Sequence, residues 1–215
     1  MRHAITDDGH ELELIRQASA GDARALNELF TRHDDRLKRM VKLRLDSRVQ
    51  RRVDPADVVQ EAYLEASANL ADYLQEPKLP FFLWLRLLTM QKLVLAHRQH
   101  LGVQARDARR EIALYRGAYP QASSAALAAQ LMGRFTTPSQ AAVRAEMKLR
   151  IQEALNNMDE LDREVLSLRH FEQLSNSETA LVLGLTETAA CNRYVRALER
   201  LRSVLTSLPG GLAGM

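Results

Sequence analysis

The 215-residue chain has a single cysteine, Cys191, so no disulfide can form within it and a reducing compartment is the expected setting. Proline and glycine are sparse, at six and nine, which leaves a chain rich in Ala, Leu, Arg and Glu few breaks and favours helices. Aromatic residues make up 5%, with one tryptophan, Trp84. Long apolar runs are missing too. The richest stretch, residues 79–96, is interrupted by Arg86 and Lys92 and is not expected to insert in a membrane. The first eight residues lack the apolar core of a secretory signal, so a soluble, cytoplasmic protein is expected. No strand-type alternation is visible. Nor is there a nucleophile–base pair, a phosphate-binding loop or a metal motif; His97 and His100 have no cysteine or carboxylate at ligand spacing. No enzyme, catalytic residue, cofactor or metal is expected.

What the chain does have is charge sorted into blocks. The formal net charge is only +3, so placement matters more than the sum. Residues 36–52 carry eight Lys/Arg against one acid, Asp46, whereas residues 54–76 carry six acids and no Lys or Arg. The apolar knot Phe81-Phe82-Leu83-Trp84-Leu85 follows, and residues 86–116 then hold seven Lys/Arg against Asp107 and Glu111. Such sorting suits a chain that holds nucleic acid with some faces and a protein with another.

Apolar spacing predicts helices throughout. A short first helix, with Leu14 and Ile15, closes at Gly21; Asp22 caps a second, which continues through Leu37, Met40 and Val41 to Leu45 with its arginines on the other face. Asp54-Pro55 is a start signal, an N-cap followed by proline at the first helical position, for a helix to about Leu74. Pro77 and Pro80 bracket a loop before a long helix from Phe81 to about Gln99. Residues 112–137, punctuated by Gly, Pro, Ser and Thr, predict an interdomain linker with a weak helix near 125–131. Beyond it, Asp159 and Thr186 are expected caps, and Ser175 with Glu178 matches a capping box. The fold expected is all-α: two small helical domains, residues 1–111 and 138–208, joined by a flexible linker, 112–137, with a tail at 209–215.

Two short helices around Gly184-Leu185-Thr186 suit a helix-turn-helix in the C-terminal domain, with small Ala180 where the helices cross. The second helix offers Thr188, Asn192, Arg193 and Arg196, a set able to read base edges and hold phosphates in a major groove, against the plainer reading of a solvated hairpin. Cys191 on the same helix reads as a small, partly buried side chain without chemistry. On the acidic helix, Asp57, Gln60, Glu61 and Glu65 form one polar stripe, which repels DNA and fits either solvent or a basic protein partner. Trp84, alone, reads as core. Beside Lys92, Arg98, Arg106, Arg109 and Arg110 it also fits a surface for separated strands.

Asp57-Val58-Val59-Gln60-Glu61-Ala62-Tyr63, the pattern Phe81-x-x-Trp84-Leu85, and Leu174-Ser175 with Glu178, Ala180, Gly184 and Arg193-x-x-Arg196-Ala197 together resemble the extracytoplasmic-function sigma factors, initiation subunits of bacterial RNA polymerase. The resemblance covers about residues 12–110 and 138–206, in the family's order. It implies that Asp57, Gln60 and Glu61 dock on the clamp helices of the polymerase's largest subunit. It implies that the 73–81 loop with Phe81, Trp84, Gln91, Lys92 and Arg98 holds unstacked bases of the minus-ten element. Thr188, Asn192, Arg193 and Arg196 would read the minus-thirty-five element, with the domain's other face near the polymerase flap. The linker would pass near the RNA exit path, and an anti-sigma protein is a candidate partner. Gln91 and Leu95 stand where the family often has Asn and Asp, and Ala190-Cys191 where Val-Lys is typical, which leaves the promoter sequence open. The runner-up is a one-component helix-turn-helix regulator, for which the acidic and aromatic-basic helices would have no use. A protein-binding adaptor would leave the basic clusters without one.

Overall fold

A computed structural model describes residues 4–101, 120–133 and 141–206. The expected basic cluster Arg106, Arg109 and Arg110, much of the expected linker and the tail at 209–215 lie outside the described residues. All regular structure among the described residues is helical. The chain divides into two units, Met1–Val41 with Ser47–Ala105, and Lys42–Asp46 with Arg106–Met215.

The first unit holds α1 (Ala4–Ser19), α2 (Ala23–Arg44, but for its last residues), α3 (Pro55–Ala68), α4 (Leu70–Gln75) and α5 (Phe81–Leu101). Gly21, at φ +96°, makes the turn out of α1, a left-handed conformation that a side chain would strain. Asp22 caps α2 by accepting from the Arg24 and Ala25 amides at 2.8 and 3.3 Å. Asp54 caps α3 in the same way, accepting from Ala56 N–H at 2.8 Å with Pro55 at the first helical position. The helix expected to reach Leu74 instead breaks at Asn69, whose backbone leaves helical geometry and whose side-chain amide donates to the Glu65 carbonyl at 2.8 Å. An asparagine that satisfies the last turn with its own amide ends a helix without glycine. Helix α3 packs on α5 and α1 on α4, around a core that includes Leu29, Leu37, Met40, Leu85, Met90 and Leu93. Each such buried side chain stabilises the fold by roughly 1.5–3 kcal/mol.

The second unit holds α6 (Ser124–Gly133), α7 (Ala141–Asn156), α8 (Glu160–Leu166) with a π-helical turn after it (Ser167–Phe171), α9 (Asn176–Leu183) and α10 (Glu187–Thr206). Within the stretch whose sequence shows little amphipathic pattern, α6 buries Leu127, Ala128, Leu131 and Met132 in this unit's core, beside Leu43, Ile151, Leu155 and Phe171. Its pattern is weak because alanines fill most of its faces; burial follows from small size as much as from polarity contrast. Arg44, expected with the other arginines on the face opposite the apolar residues, is only 3% exposed and is held by Glu164 and Glu172. Burial pushes its guanidinium pKa down, but the two carboxylates outweigh that and raise it, so the side chain stays charged.

Candidate nucleic-acid interface

Helix α3 presents two faces. Val58, Val59, Ala62, Tyr63 and Ala66 are buried, with the Tyr63 ring stacked on Phe30 at 4.2 Å and its hydroxyl donating to the Phe30 carbonyl at 2.9 Å. Asp57, Gln60 and Glu61 lie exposed on the other side. Leu64, next on that side, is 73% exposed, and Gln60 and Leu64 line a groove of about 350 Å³ between α2 and α3 with Asn27, Thr31, Asp34 and Lys38. Glu65, the fourth member of the stripe, is turned to a different use: its carboxylate pairs with Lys92 of α5 at 2.6 Å.

On α5, Trp84, Gln91 and Arg98 are seven residues apart and Leu95 lies between the last two, so the four share one line along the helix. Arg98 and Leu95 are exposed and Gln91 half-buried. Trp84, also half-buried, stacks on Tyr73 at 4.6 Å with the rings 23° apart. Tyr73 in turn donates its hydroxyl to the Leu79 carbonyl at 2.9 Å, tying α4 to the proline-bracketed loop. Burial, and then the charge of Glu11, pushes the Tyr73 phenol up to about 12. Phe81 is 3% exposed, lying against Tyr73, Trp84 and His33, so it forms the buried foot of this surface. Lys92 stands beside the line, engaged by Glu65.

In the second unit the turn residues take the conformations their chemistry favours. Ser175 accepts from Glu178 N–H at 3.1 Å while Glu178 accepts from Ser175 N–H at 2.6 Å, a complete capping box. Gly184 ends α9 at φ +63°, and the next amide, Leu185 N–H, donates to the Ala180 carbonyl at 2.9 Å. Ala180 is buried where the two helices meet, and Thr186 accepts from Ala189 N–H at the start of α10. Asn176 donates to the Glu187 carbonyl at 2.9 Å, tying the start of one helix to the start of the other.

Along α10, Ala190, Ala197 and Leu201 face the core, while Thr188, Asn192 and Arg196 are exposed. Cys191 is exposed as well, not partly buried, because Ala190 takes the inward position beside it. Arg193 sits at the border of the two faces, and α8 supplies its partners. Its Nη1 donates to Asp162 Oδ1 at 2.6 Å and to Asp159 Oδ1 at 3.1 Å, and Arg196 Nη2 reaches the same Asp162 oxygen at 3.2 Å. Backbone N–H groups of Asp162 and Leu161, and then the two arginines, hold the Asp159 carboxyl below its ordinary range. In the sequence Asp159 is legible only as a helix cap, and nothing marks Asp162 as the partner of an arginine thirty-one residues on.

Among the described residues no group of three or more His, Cys, Asp or Glu could hold a metal ion, and no helix is long and apolar enough to cross a membrane. A capped helix-turn-helix with arginines on its second helix, in a chain whose described residues form only helices, is the arrangement of DNA-binding transcription proteins. Comparison with known proteins narrows that class. Residues 148–201 match the family model for sigma-70, region 4. Over 208 residues the chain is 28% identical to the ECF RNA polymerase sigma factor SigD of Mycobacterium tuberculosis, covering 95% of this chain and 88% of that one. It is 27% identical over 206 residues to the RNA polymerase sigma factor NccH of Alcaligenes xylosoxydans xylosoxydans, with 94% and 98% covered. The solved structure of CnrH in complex with the cytosolic domain of CnrY shares the fold, with a TM-score of 0.53 at 24% identity, over 92% of this chain and 98% of that one. By these comparisons the chain is similar to RNA polymerase sigma factors of the extracytoplasmic-function type.

Proposed function

We propose that the chain is an RNA polymerase sigma factor of the extracytoplasmic-function type. It is divided between a polymerase-docking and strand-holding domain, residues 1–111, and a duplex-reading domain, residues 138–208, whose core α6 joins, while the rest of 112–137 runs near the RNA exit path. Asp57, Gln60 and Glu61 dock on the clamp helices of the largest polymerase subunit. The observation that carries this reading is the division of α3, which turns a buried apolar face inward and leaves these three polar side chains exposed in a block without Lys or Arg. A basic helical partner is the complement of such a face.

Helix α5 holds the unstacked minus-ten strand. Trp84 offers a ring to a base, Gln91 a hydrogen-bonding edge, and Lys92 and Arg98 positive charge to the backbone, while Phe81 supports the surface from below. Lys92 exchanges its pairing with Glu65 for a phosphate in that state. Thr188, Asn192, Arg193 and Arg196 read the minus-thirty-five duplex, with the domain's other face near the flap. The chain acts in the cytoplasm, without catalysis of its own. An anti-sigma protein is a further partner, a reading supported by the solved complex of CnrH with CnrY.

The test is association with core polymerase. Asp57→Arg and Glu61→Arg are expected to lose it, and full association of both variants would refute the docking assignment. Trp84→Ala is expected to keep core binding and lose open-complex formation; equal loss of the two would make Trp84 a packing residue only.

A further inference from the structure

The arginines of α10 do not project alone. Asp162 Oδ1 accepts from both Arg193 and Arg196, at 2.6 and 3.2 Å, and its side chain is only 13% exposed, whereas that of Arg196 is 59% exposed. Asp159 adds a second carboxylate on Arg193 at 3.1 Å. Both acids stand at the start of α8, where Asp159 also accepts from the Leu161 and Asp162 amides at 3.0 and 3.2 Å. That geometry fixes the Asp159 carboxylate, since helix N-termini favour negative charge and hold it in place. The corner therefore pairs two positive groups with two negative ones, and a passing phosphate meets little net charge there. Each guanidinium has five N–H donors, and these contacts engage only Nη1 of Arg193 and Nη2 of Arg196, so the forks still have donors for DNA.

We propose that Asp162 is a positioning residue for promoter reading: by holding Arg193 and Arg196 through one oxygen it aims both at base edges and offsets their pull on phosphates, so that discrimination rises at the expense of sequence-independent affinity. This rests on α10 being the duplex-reading helix. A pair of unrestrained arginines would find phosphate on any duplex, because charge neutralisation carries no sequence information. A pair anchored to a half-buried carboxylate gives up that contact unless the groove supplies something better than the aspartate.

The test uses the full chain and two duplexes: a minus-thirty-five duplex recovered with reconstituted holoenzyme, and a scrambled one of the same composition. Asp162→Asn keeps the shape and removes the charge. It is expected to bind the scrambled duplex more tightly. The salt dependence should steepen by about one phosphate, a slope change near 0.9. The specific-to-scrambled ratio should fall on the order of tenfold, the size of one lost base-reading contact. Asp162→Glu, which keeps the carboxylate, is expected to restore most of the ratio. Arg193→Ala separates the two ideas. If it leaves duplex binding unchanged, α10 is not the reader. If it weakens binding while Asp162→Asn changes neither slope nor ratio, the reading stands and the positioning role is overturned. Equal weakening on both duplexes with a lowered melting temperature would also overturn it, since that marks a purely structural aspartate.

Discussion

At the scale of single residues, the most consequential side chain is Arg44, fully buried between Glu164 and Glu172. Removing one partner of a buried ionic cluster leaves the others charged and unpaired, so Arg44→Ala is expected to cost about 3–5 kcal/mol in urea unfolding. Gln173 has the opposite character. It sits at φ 60°, a left-handed conformation that costs an L side chain about 1–2 kcal/mol, so Gln173→Gly is expected to gain about 1 kcal/mol by the same measurement. Tyr73 makes a pH prediction. Its folded phenol is raised from its ordinary value of 10.0 to about 12, so the neutral form is favoured by folding. That stabilisation is complete below pH 10 and is lost as pH rises toward about 12, because the unfolded chain ionises first. Tyr73→Phe should flatten part of the alkaline loss of stability, followed together with phenolate absorbance. None of these three features is legible in sequence. Arg44 belongs to a run of basic residues and reads as one more cation on the face opposite the apolar residues, since charge patterning shows no partner that lies far along the chain.

At the scale of elements much more is legible. Asp22, Asp54, Asp159 and Ser175 each cap a helix where their spacing to the following turn demands it, because capping is decided within three or four residues. Ser175→Ala removes one side of the box joined to Glu178 and is expected to cost about 1 kcal/mol of the second unit's stability by thermal melting, without changing polymerase association. The break at Asn69 was less legible, since asparagine inside a helical pattern is ordinary and only its bond to the Glu65 carbonyl shows that it terminates α3. Helix α6 was the faintest, because its alanine-rich sequence carries little contrast between faces, yet Leu127 and Ala128 are wholly buried.

At the scale of the whole molecule, the acidic block of the sequence becomes a largely exposed face. Asp57 and Glu61 are exposed, so reversing Glu61 should change folding stability by no more than about 0.5 kcal/mol and reversing Asp57, in the first turn of α3, by about 1 kcal/mol. The same reversals should abolish association with core polymerase, and near-native melting temperatures alongside lost binding are the outcome that checks docking. What the sequence by itself determined is local and periodic: helix starts and stops, the helix-turn-helix with its Gly184 turn, and the acidic stripe with its aromatic-basic successor. These are written in neighbours three to seven residues apart, which a helix brings to one face unaided. Only the tertiary structure decided which charges are spent on other charges. Arg44 meets Glu164 across 120 positions and Arg193 meets Asp162 across 31, and no short-range pattern encodes such meetings. Packing chose them, because a buried or half-buried charge is stable only where another element delivers its counterpart.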